Sequence, residues 1–90
     1  MSIPIFLNKF GNVLSSRQIG KESWLAFQPV LNQIPVGEEI TVKFDEVLSI
    51  SPSWADEFLV PLQARYKNKL ALEETKNLSV VETVKFLEEI

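Results

Sequence analysis

The chain has no cysteine and no histidine in its 90 residues. The first absence excludes disulfides and thiolate chemistry, and both together exclude zinc sites of the Cys/His type. Without histidine the usual general base at neutral pH is missing as well. A small domain with no disulfide framework suits the cytoplasm, and that is the expected compartment. Glycine is scarce at 3, and there is no low-complexity stretch. No apolar run approaches the roughly 20 residues of a membrane span. The start of the chain lacks the basic region and the small-residue cleavage site of a signal peptide. Basic charge is sparse too. Nine Lys and Arg are scattered against 12 Asp and Glu, for a net charge of -3. Nucleic-acid binders carry a basic patch, so nucleic acid is not the expected partner.

What remains is ordinary globular material, 46% hydrophobic and 23% charged. Its length fits one domain over residues 1–90. Ile3 to Leu7 reads as a first strand, with Pro4 tolerated at an edge. A turn follows at Gly11-Asn12. Ser15 and Gln18 have the spacing of a capping box, opening a helix whose apolar face would be Ile19, Ala26, Phe27, Val30, Leu31 and Ile34. Pro29 predicts a kink or break near residues 25–29.

Glu39 to Asp45 alternates as a strand, with Ile40, Val42 and Phe44 on one face. Ser51 or Ser53 caps a second helix, with Asp56 and Glu57 expected in its first turn. Phe58, Leu59, Leu62 and Tyr66 would face the core, and Pro61 predicts another kink. Lys69 to Thr75 reads as a third strand. Ser79 and Glu82 form a second capping box for a last helix running to Ile90, with Val80 or Val81, Val84 and Leu87 buried. A further short strand fits residues 10–14. This alternation predicts an α/β fold: a sheet of three to four mostly parallel strands covered by about three helices.

Catalytic signatures are missing. No phosphate loop, dinucleotide-binding turn, nucleophile elbow or HExxH helix occurs. The expectation is a binding protein, not an enzyme, with no cofactor and no metal. Asp45 at a strand end and Asp56 at a helix start are the best-placed carboxylates; solvent exposure and helix capping account for them without catalysis. Ser51 and Ser53 stand at a strand-to-helix junction, where capping is the first reading and phosphorylation of Ser53 a second. Trp24 falls off the expected apolar face, as a side chain available to a partner would. Trp54 reads either as core packing at the sheet end or as part of the same junction.

The segment Val42 to Leu62, VKFDEVLSISPSWADEFLVPL, resembles the signature region of STAS domains. Its block SISPSWADEF is similar to the Ser-x-Ser-Phe-Ala-Asp-Glu pattern of the STAS-like family of domains of unknown function. GNVLSSRQIGKE, residues 11–22, is similar to that family's first helix. The resemblance covers about residues 11–90. It implies a bacterial signalling domain akin to the anti-sigma factor antagonists, binding a histidine-kinase-like ATPase or another regulatory protein. In those antagonists the second helix opens with Asp-Ser-Ser-Gly, and its first serine is phosphorylated. Here Ser51 stands at the Asp, Pro52 at that serine, Ser53 at the next and Trp54 at the Gly. Pro52 cannot take a phosphate, so the phospho-switch does not carry over. The docking surface does, and would comprise Asp45, Ser49, Ser51, Ser53, Trp54, Asp56 and Glu57, with Trp24 nearby. The alternative is a structural subunit or homodimer, joined around Trp24 or along an unpaired strand edge.

Overall fold

A computed structural model describes residues 2–88. In chain order the elements are β1 (Ser2–Phe6), a 3-10 turn (Leu7–Phe10), β2 (Val13–Leu14), α1 (Arg17–Asn32), β3 (Glu39–Lys43), β4 (Ser49–Ile50), α2 (Pro52–Tyr66), a second 3-10 turn (Lys67–Lys69), β5 (Leu70–Leu72) and α3 (Leu78–Glu88). The expected α/β alternation is present.

The main sheet has the order β1-β3-β5 and is parallel throughout. Register fixes its two faces. Ile3 and Ile5 lie beside Ile40 and Val42, which lie beside Leu70 and Leu72. That row faces the helices. The other face carries Ser2, Pro4 and Phe6, then Glu39, Thr41 and Lys43, then Ala71. It is open and largely polar, and the hydroxyls of Ser2 and Thr41 meet across it at 2.6 Å. Parallel sheets are usually covered on both faces, and polar alternation along β3 is what lets this one stand with one face in water.

Of the residues expected at 10–14 only Val13 and Leu14 form a strand, Phe10 closing the first 3-10 turn, and β2 joins β4 in a separate two-stranded parallel sheet. Leu14 and Ile50 pair there and are both buried. The far edge of β4 is closed by side chains of α3. The Ile50 N–H donates to Ser79 Oγ at 3.0 Å, and Thr83 Oγ1 donates to the Ile50 carbonyl at 2.7 Å. Buried backbone groups need partners, which explains why Thr83 is only 3% exposed on an apolar face.

Four sequence expectations need correction. The cap of α1 is Ser16, whose hydroxyl accepts from the Ile19 N–H at 3.1 Å; Ser15 and Gln18 form no box. The inward face of α1 is Gly20, Trp24, Phe27 and Leu31, while Ile19, Ala26 and Val30 face water. Pro29 does not break α1, which runs through it as α2 runs through Pro61. Each lies toward the C-terminal end, where a missing N–H removes a single bond. Finally α3 begins at Leu78, and Asn77 caps it by accepting from the N–H groups of Ser79 at 2.9 Å and Val80 at 3.4 Å. Ser79 is thereby released to serve β4. Of the two valines offered for this helix, Val80 is the fully buried one. Ile90 lies outside the described residues.

The core is one cluster around Phe58. Its ring stacks on Trp54 at 4.8 Å between centroids and meets Phe10 at 4.9 Å, Trp24 at 5.8 Å and Phe27 at 5.9 Å. Aromatic pairs of this kind add about 0.5–1.5 kcal/mol each beyond the area they bury.

Candidate functional site

The junction between β4 and α2 is built by local bonds that the serines supply. The Ser51 N–H donates to the Leu14 carbonyl at 2.8 Å, continuing the β2–β4 ladder. Its hydroxyl accepts from the Trp54 N–H at 3.2 Å, and its carbonyl accepts from the Ala55 N–H at 3.1 Å. Pro52 takes the first helical position, where a missing donor costs nothing. Ser51 is therefore the cap, and Ser53 is free of that duty.

The seven residues 51–57 divide by depth. Trp54 and Ala55 are 0% exposed. Ser51, Ser53, Asp56 and Glu57 are half-buried, and Pro52 is exposed. Trp54 thus drops out of the expected docking set, because no partner reaches it. Its indole N–H has no hydrogen-bond partner among the described residues. Trp24 is also drawn inward, edge-on to Phe58. Helical rotation set by the α1–α2 crossing turns it toward the core.

Asp56 and Glu57 lie in the second turn of α2, not the first, because the helix opens at Pro52. The helix dipole falls off within the first turn, so their charge answers to something else. That is Arg17, at the start of α1. Its Nη1 donates to Asp56 Oδ2 at 2.6 Å and lies 3.6 Å from Glu57 Oε1. The hydrogen bond to Asp56 leads the effects that hold the guanidinium charged beyond its ordinary range. The helix starts can approach because of Gly20. A Cβ there would stand 2.7 Å from the Trp54 carbonyl oxygen and 3.0 Å from its Cα.

Arg17, Pro52, Ser53, Asp56 and Phe86 surround a shallow concavity of about 290 Å³. Asp45 is exposed in the turn after β3, next to Glu46 at φ 62°. Ser49 is half-buried within β4. The structure thus brings Ser51, Ser53, Asp56 and Glu57 together with Ser49 on one junction. Among the described residues no group of three or more His, Cys, Asp or Glu converges as a metal site would. No described helix is long and apolar enough to cross a membrane.

Sequence reading missed the apolar rim. Leu48 is 67% exposed, Leu78 75%, Val13 60% and Phe86 50%. Each is tied to the junction. Leu48 precedes β4, and its N–H donates to the Asn12 carbonyl at 2.8 Å. Val13 is paired with Ser49. Asn77, the neighbour of Leu78, donates to the Leu48 carbonyl at 3.0 Å. A signal existed for Leu48, an apolar residue between Val47 and Ile50 whose neighbours share the opposite demand for burial. Phe86 gave one as well, since it falls off the stripe of Val80, Val84 and Leu87.

No known protein family, curated protein or solved structure matches the chain.

Proposed function

We propose that this chain is a regulatory protein-binding domain of STAS-like type, which docks a signalling partner through the β4–α2 junction. The observation that carries this reading is a set of exposed apolar side chains at the junction, with Val13, Leu48 and Leu78 about the start of β4 and Phe86 beside polar Ser53 and Asp56. Apolar patches rimmed by polar groups mark protein interaction sites. The resemblance of residues 42–62 supplies the partner class, a histidine-kinase-like ATPase in a bacterial cytoplasm. Within α2 Ser53 is not engaged in capping, because Ser51 supplies the cap. A phosphate there would meet Asp56 as a repelling charge and Arg17 as an attracting one.

The test is capture from a host extract on immobilised chain, followed by titration of the captured ATPase against purified variants. Leu48→Asp and Phe86→Ser should each weaken the complex at least about tenfold, as loss of an interface anchor does. Val36→Asp, on a fully exposed residue between α1 and β3 at the opposite end of the helices, should leave it unchanged. Equal binding by all three variants would overturn the reading.

A further inference from the structure

We propose that β5 is the seam of a symmetric dimer, in which two copies of this chain pair antiparallel about Ala71 and fuse their sheets. The strand order leaves two edges, β1 and β5. Pro4 on β1 lacks a donor and does not support an added strand. On β5 the Glu73 N–H donates to the Val42 carbonyl at 2.9 Å. Backbone groups alternate along a strand, so the N–H and C=O of Leu72 and the C=O of Leu70 point away from β3. The Leu70 N–H is already taken by the Lys67 carbonyl. Among the described residues, no group pairs with the outward ones.

The sequence around this edge is complementary to itself when reversed. It reads Lys69-Leu70-Ala71-Leu72-Glu73. With Ala71 opposite Ala71, each Leu70 faces a Leu72, and each Lys69, the last residue of the 3-10 turn, comes near a Glu73 just past the end of the partner's β5. Each Leu72 N–H then donates to the partner's Leu70 carbonyl. Sliding by two residues keeps the bonding parity but sets Lys69 against Ala71 or Thr75 and places each mismatched leucine against Asn68 or Glu74. Opposite charges and apolar pairs directly across a ladder are favourable, so charge and hydrophobicity select the same register. A two-fold axis makes every contact occur twice.

The surroundings fit this occupant. Ala71 is exposed and Leu72 is 37% exposed. Leu70 and Leu72 line an open groove of about 590 Å³ between β5 and α3, walled by Val81 and Val84. A second copy brings an equal row of leucines alongside and closes both grooves at once. Glu73 is held in place by Lys43 Nζ at 2.8 Å, so the arriving Lys69 meets an ordered carboxylate. This dimer uses none of the β4–α2 junction, and the two proposals stand or fall separately.

The test uses the absence of native cysteine. Opposed Ala71 residues form a non-hydrogen-bonded pair with Cα atoms about 4.5 Å apart, within the disulfide span of about 4.4–6.8 Å. Under mild oxidation Ala71→Cys should give a covalent dimer, while Val36→Cys, on a fully exposed residue, should stay monomeric. Sedimentation of the native chain should show a concentration-dependent dimer. Lys69→Glu should raise its dissociation constant about tenfold, since two attractive pairs become repulsive. Circular dichroism confirms that each variant is folded. A native chain that stays monomeric at millimolar concentration overturns the proposal. So does a dimer in which Ala71→Cys links no faster than Val36→Cys, or one indifferent to Lys69→Glu.

Discussion

Gly20 and Phe58 show how far a single residue can be read from sequence. Phe58 sits where apolar spacing puts it, fully buried among Phe10, Trp24, Phe27 and Trp54. Phe58→Ala should cost about 3–5 kcal/mol, a large share of the roughly 5–13 kcal/mol available to a domain of this length. Gly20 is different. Within a helix it looks like a weak choice, and replacing it with Ala should gain about 1 kcal/mol of helix propensity. The structure reverses the sign. A Cβ at position 20 meets the backbone of Trp54, which cannot swing aside as a flexible side chain would. Overpacking of that kind costs about 1–3 kcal/mol, so Gly20→Ala should lower the urea midpoint. A raised midpoint would mean that α1 and α2 are not held together at this point. Nothing in the one-dimensional pattern announces such a contact, because the crowding partner is 34 residues away in another helix.

At the scale of elements, type and order were legible and closures were not. Apolar alternation gave β3, and the Ser51–Pro52 pair gave the start of α2. Tertiary bonds decided the rest. Ser79 looks like a helix cap, yet it serves β4, because the helix begins earlier, at Leu78, and Asn77 caps it by accepting from the N–H groups of Ser79 and Val80. The placement of Asp56 likewise turned on where the helix began. Glu73 closes the end of β5 in a comparable way. Its carboxylate accepts from Lys43 Nζ and, at 3.1 Å, from the Phe44 N–H. The bond from Lys43 and then that from Phe44 hold it below the usual carboxylate range. The unfolded chain therefore takes up this proton more readily than the folded one. The stabilisation is complete above the ordinary carboxylate range and is lost as pH falls through that range and below it. Glu73→Gln keeps an acceptor for Phe44 but removes the titration. Between pH 7 and pH 3 its urea midpoint should fall less than that of the native chain. Parallel losses in the two proteins would rule the contact out.

The whole molecule is one core with unequal shares in it. The buried set draws on β1, β2, β3, β4, α1 and α2, with α2 alone giving Trp54, Ala55, Phe58, Leu59 and Leu62. From α3 only Val80 and Thr83 are fully buried among the described residues, and β5 gives none. The alternating pattern foretold the layers but not this imbalance, because spacing names the inward residues of a helix and not how deeply tertiary packing buries them. Beneath α3 lies the open groove against β5. The helix is instead tied to the rest by polar bonds, from Asn77 to Val47 and Leu48 and from Ser79 and Thr83 to Ile50. Water replaces such bonds well when they open, so detaching α3, with Val80 its one fully buried apolar side chain among the described residues, exposes less apolar surface than detaching α2 would. Cooperative units with few buried contacts open below the global unfolding free energy. Native-state hydrogen exchange should therefore find the α3 amides opening in a separate, denaturant-insensitive step, ahead of α1, α2 and β3. Asn77→Ala, which removes the cap and two of the ties, should speed exchange in α3 while leaving the rate at Phe58 and Leu62 nearly unchanged. If all three helices exchange together in both proteins, α3 is an integral part of the core and the imbalance in burial has no dynamic consequence.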